Sequence, residues 1–136
     1  MARNGSDDAT RRGTAGVAAV EGLLAYAGRR SRWGGGALDR VHQAIGLSRE
    51  LAAAAPDEHA VLLARCLLAA AKLLLKRGRA AEALPHAEEA VGLCRPAGGA
   101  PLVVALVCLS DVYEAQQRFG EAVAAMTEAA SVDPPG

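Results

Sequence analysis

Three stretches decide the fold: ALDRVHQAI (37–45), ALPHAEEAV (83–91) and AVAAMTEAA (122–130). Each opens with alanine and then a larger apolar residue. Further apolar or small residues follow four, seven and eight positions after the first. The sets are Ala37, Leu38, Val41, Ala44, Ile45; Ala83, Leu84, Ala87, Ala90, Val91; and Ala122, Val123, Met126, Ala129, Ala130. This spacing puts all members of a set on one face of a helix of period 3.6. Alanine stands at the same two places in every set. A side chain without bulk at a fixed place lets a neighbouring helix approach closely, since interaxial distance depends on the side chains at the contact.

Working outward, the residues before each stretch repeat as well. Leu67, Ala70, Ala71 and Leu74 match Leu106, Leu109, Ser110 and Tyr113, each 39 residues later. Val20, Leu23, Leu24 and Ala27 fit the same template with one extra residue in the first turn. The breakers between them are Gly34–Gly36, Pro56, Gly78, the run Pro96–Pro101, and Pro134–Gly136. Six helices are expected near 14–30, 36–54, 57–77, 80–95, 101–117 and 119–132. Pro56 and Pro101 suit a first helical turn, where the missing N–H has no partner to lose. Asp57 and Glu58 complement the positive helix end. Pro85 is expected in a first turn or at a mild kink. The polar stretch 1–13 reads as a disordered tail.

Composition agrees with an all-α chain. Of the 136 residues, 51% are hydrophobic but only 3% aromatic, with 32 Ala, 17 Leu and a single Ile. A pleated sheet needs the β-branched and aromatic residues that are scarce here. Net charge is zero, which argues against a molecule drawn as a whole to nucleic acid or membranes. The longest uncharged run, Pro96–Ser110, is shorter than the roughly 20 residues of a membrane span. No apolar stretch at the N-terminus suggests a secretion signal, so a cytoplasmic location is expected.

Little points to chemistry. Cys66, Cys94 and Cys108 sit in apolar runs without a Cys-x-x-Cys, as buried small hydrophobes do in a reducing compartment. His59 and Cys66 are two helical turns apart, too far for a nucleophile and its base. His42, His59 and His86 lack zinc spacing. Glu88 and Glu89 beside His86 read as a solvated helix face. Gly34–Gly36 lacks the Lys-Ser/Thr of a phosphate loop. No catalytic, cofactor or metal residue is expected. Arg29, Arg30 and Arg32 beside Trp33, with Arg11 and Arg12, form a basic group that allows an alternative, a small helical nucleic-acid-binding regulator. A second alternative is an enzyme built on Cys66 or Cys108.

The turns SRWGGGAL (31–38), GRAAEAL (78–84) and QRFGEAV (117–123) each place Arg before a helix entry, with Trp33, Ala80 and Phe119 in one slot. Together with the paired alanines and the closing Asp133-Pro134, these residues resemble the tetratricopeptide repeat. The resemblance covers about residues 15–134. The spacings are 46 and 39 residues rather than the family's 34, and Gln117 stands where the turn glycine is expected. The resemblance implies three stacked antiparallel helical hairpins in a right-handed α-solenoid, with units of about 14–55, 56–96 and 100–134. It also implies a non-catalytic scaffold or adaptor that binds a protein or peptide on its concave face. Carried onto this chain, that face holds Arg65, Leu68, Lys72 and Lys76, then Val104, Val107, Asp111 and Glu114, with Ala18, Glu21, Ala25 and Arg29 in the first unit. The anchor is expected around Leu68 and Val107. A regulatory repeat segment of a transcription or signalling protein is a related alternative. The carboxylate clamp of chaperone-tail receptors is missing, since the only asparagine is Asn4. The last helix carries an apolar arc wider than its own hairpin needs, which predicts a homodimer through the C-terminal hairpin.

Overall fold

The computed structural model describes residues 4–30 and 36–133, and side chains over 11–29 and 36–133. It is all-helical: α1 (Asn4–Arg30), α2 (Ala37–Ala54), α3 (Pro56–Lys76), α4 (Ala80–Cys94), α5 (Gly99–Ala115) and α6 (Phe119–Ala130). Among the described residues there is no strand. Pro56 opens α3, with Asp57 and Glu58 in its first turn. Pro101 lies in the first turn of α5. Ser31, Arg32, Trp33 and Pro134 lie outside the described residues, as does the side chain of Arg30.

Two local expectations need correction. Residues 4–13, expected as a disordered tail, continue α1 toward the N-terminus. Extending an existing helix fixes one residue per added hydrogen bond, so the helix is prolonged at low cost. Pro85, expected in a first turn or at a mild kink, lies in the second turn of α4, so the first of these placements does not hold. Pro85 cannot supply an amide to the Ala81 carbonyl, and both residues lie on the exposed side of α4.

The chain divides into two compact units, Met1–His59 and Ala60–Gly136. In the first, α1 packs on α2. Val20, Ala27, Ala37, Val41, Ala44 and Ile45 form its core. Buried Ser48 donates to the Ile45 carbonyl at 3.1 Å, and Arg40 lies 5.8 Å from the Tyr26 ring centroid. In the second unit, α5 packs on both α4 and α6. Its core includes Leu67, Ala70, Leu74, Ala83, Ala87, Ala90, Leu106 and Val112. The Ser110 hydroxyl donates to the Ala122 carbonyl at 2.9 Å, tying α5 to α6. The alanines that open each template, Ala37, Ala83 and Ala122, and the later Ala44, Ala90 and Ala129, are all buried.

The 39-residue repeat is reproduced in backbone geometry. After α3, the Arg79 N–H donates to the Leu74 carbonyl at 2.9 Å and the Gly78 N–H to Leu75 at 3.0 Å. After α5, Arg118 donates to Tyr113 at 2.8 Å and Gln117 to Glu114 at 2.9 Å. Both are the two-bond helix stop that requires a left-handed residue. Gly78 has φ 72° and Gln117 has φ 60°. Gln117 therefore does the work of the missing turn glycine, under the strain that a Cβ brings there. Gln117→Gly is expected to raise stability by about 0.5–1 kcal/mol. A urea midpoint at or below the parent's would contradict this. The next helix entry repeats too. Arg79 grips Glu82, and Arg118 grips Glu121 at 2.7 Å. Each guanidinium, by hydrogen bond first, is held more firmly protonated than usual. The Arg79 guanidinium likewise keeps the Glu82 carboxyl below its ordinary range.

Candidate partner-binding surface

α3 carries a cationic edge. Arg65, Lys72 and Lys76 are spaced seven and four residues apart, which puts them along one side of the helix, and all three are exposed. α5 carries Val104, Val107, Asp111 and Glu114 at spacings of three, four and three. Val104 is 49% exposed, Val107 is half-buried, and Asp111 and Glu114 are exposed. Cys108, buried on α5, feels one charge from each stripe. Its thiol is pushed up to about 11, mainly by burial, with Lys72 of α3 pulling it down and Asp111 of α5 pushing it up. A lysine and an aspartate from different helices thus act on one buried sulfur.

Leu68 does not stand in this surface. It is 5% exposed and belongs to the core. Nine residues of α3 are buried, among them Leu67, Leu68 and Ala71, so the buried arc is too wide to leave Leu68 free. The open apolar element on this side is Val104 with Val107. Ala18, Glu21, Ala25 and Arg29, the corresponding residues of α1, are all exposed.

All three cysteines are buried. Burial raises the Cys94 thiol as it does that of Cys108. A thiol held protonated at neutral pH is a poor nucleophile. His59 lies with its Nε2 3.8 Å from the adjacent Glu58 carboxylate. Among the described residues no group of three or more His, Cys, Asp or Glu side chains has the arrangement of a metal site. None of the described helices is long and apolar enough to cross a membrane.

Two features were not legible beforehand. The first unit has an open groove of about 1080 Å³, lined by Arg12, Val17, Leu47, Glu50, Leu51 and His59 among others. Arg12 reaches it because α1 continues through the expected tail. Gly16 comes close to Leu51 there: a Cβ at Gly16 would stand 2.9 Å from Leu51 Cδ2. The second feature is Phe119, the aromatic of the last turn. It is 59% exposed, because no helix among those described covers that side of the α6 entry.

Comparison with known proteins finds no family model that matches the chain and no curated protein that matches it.

Proposed function

We propose that the chain is a non-catalytic protein-interaction module of tetratricopeptide-repeat type, an α-solenoid of three helical hairpins acting as a scaffold or adaptor in the cytoplasm. The observation that carries this reading is the 39-residue repeat of turn geometry and ion pairing, at Leu74–Glu82 and again at Tyr113–Glu121. A repeated hairpin generates an extended surface rather than a closed pocket, and such surfaces hold peptides or helices. The partner segment lies along α3 and α5. Val104 and Val107 anchor it by apolar contact, Arg65, Lys72 and Lys76 meet its acidic residues, and Asp111 and Glu114 set its register.

The test begins with affinity capture from native lysate and titration of the captured protein. Lys72→Glu with Lys76→Glu is expected to keep the helical circular dichroism and to weaken binding at least tenfold, because opposite charges become like charges. Unchanged affinity in a folded double variant would move the site off this face.

A further inference from the structure

On α6, Phe119, Val123, Met126 and Ala130 follow at spacings of four, three and four, so they form one stripe along the helix. Phe119 is 59%, Val123 65% and Met126 46% exposed, and Ala130 is exposed beside them. The flanking Gly120, Ala124 and Thr127 are exposed and small. The buried residues Ala122, Ala125 and Ala129 lie about a quarter-turn further round α6.

The repeat register indicates what belongs on this stripe. Its four residues correspond, 39 positions earlier, to Ala80, Leu84, Ala87 and Val91 of α4. There Ala87 and Val91 are buried, and Ala80 and Leu84 are half-buried. α4 has the helix that follows it, α5, packed against it. The stripe on α6 is therefore the counterpart of the α4 side of the α4–α5 interface, with no following helix against it among the described residues. No charged residue stands within the stripe or among Gly120, Ala124 and Thr127 beside it, and the carboxylates Glu121 and Glu128, on the far side of α6, are paired with Arg118 and Arg95. An apolar helix can settle there without burying an uncompensated carboxylate.

We infer that the α6 stripe is a docking surface, separate from the α3–α5 face, for an amphipathic α-helix of a partner protein. That helix carries an aliphatic face of the kind α5 has in Leu102, Ala105, Leu106 and Leu109. A two-fold pairing of α6 with the α6 of a second copy suits the stripe less well. Three partly exposed side chains offer a few hundred Å² at most, since even an aromatic buries only about 150–250 Å². A standard interface buries about 800 Å² on each partner. A single docked helix needs only a few anchors along one stripe.

The probe is a fluorescein-labelled synthetic peptide of residues 98–116 carrying Cys108→Ser, titrated against the full chain by anisotropy. Saturable binding is expected, weakened at least tenfold by Met126→Glu and by Val123→Lys, both exposed sites where helicity should persist. The Lys72→Glu, Lys76→Glu double variant should bind the peptide within twofold of the parent, which separates this surface from the α3–α5 face. Absence of saturable binding, or binding indifferent to both α6 substitutions, would overturn the inference. Sedimentation showing a dimer of the parent that Met126→Glu converts to monomer, with no displacement by the peptide, would assign the stripe to a second copy instead.

Discussion

Replacing Leu67 or Leu106 with alanine is expected to lower the free energy of unfolding by about 2–5 kcal/mol. The two leucines are repeat equivalents, 39 residues apart, and both are essentially inaccessible to solvent. Truncation loses the transfer free energy of the removed atoms and leaves a cavity that close-packed neighbours fill only in part. A domain of this size is stable by only about 5–15 kcal/mol, so either change takes a large share. Chemical denaturation followed by circular dichroism measures it. Val104→Ala on the exposed side of α5 serves as the reference and should shift stability by no more than about 0.5 kcal/mol. Comparable losses at Leu67, Leu106 and Val104 would mean that the second unit is not organised around the two leucines.

The second large effect comes from adding bulk rather than removing it. Ala90→Leu is expected to destabilise by about 1–3 kcal/mol, the usual cost of overpacking. Ala90 is fully buried on α4, at a template place where all three second helices carry alanine. Ala129, its equivalent on α6, is slightly more accessible, so Ala129→Leu should cost less. Leucine and alanine differ little in helix propensity, which keeps the comparison clean. Ala124→Leu, on the open side of α6, isolates that small term and should stay near zero. If Ala90→Leu and Ala124→Leu melt together, close approach of helices at the alanines is refuted.

Much of this protein was legible from its residues alone. Helix existence and facing follow from short-range spacing, and the sets beginning at Ala37, Ala83 and Ala122 carry that signal within nine residues. Breakers act locally too, so Pro56, Gly78 and Pro101 mark helix starts and stops without reference to anything distant. Burial of the three cysteines and of the paired alanines was readable for the same reason. The stripe of Arg65, Lys72 and Lys76 along α3 follows from helix periodicity, whereas its reading as a partner surface, and the α5 residues with it, come from the repeat resemblance.

What the tertiary structure decided concerns neighbours far along the chain. Leu68 and Val104 are both apolar residues on first helices, yet one is buried and the other open, because packing against other helices sets the width of each buried arc. Phe119 shares a slot with Ala80, but exposure depends on whether a further helix lies beyond, and periodicity within α6 carries no information on that. Gln117 adopts a left-handed backbone that its own chemistry disfavours, held by two hydrogen bonds back to α5 and by the seating of α6 on α5. The sequence by itself determined helices, their apolar faces and their repeat. Only the fold determined which apolar residues were left uncovered, because covering is a property of two segments brought together and not of either one.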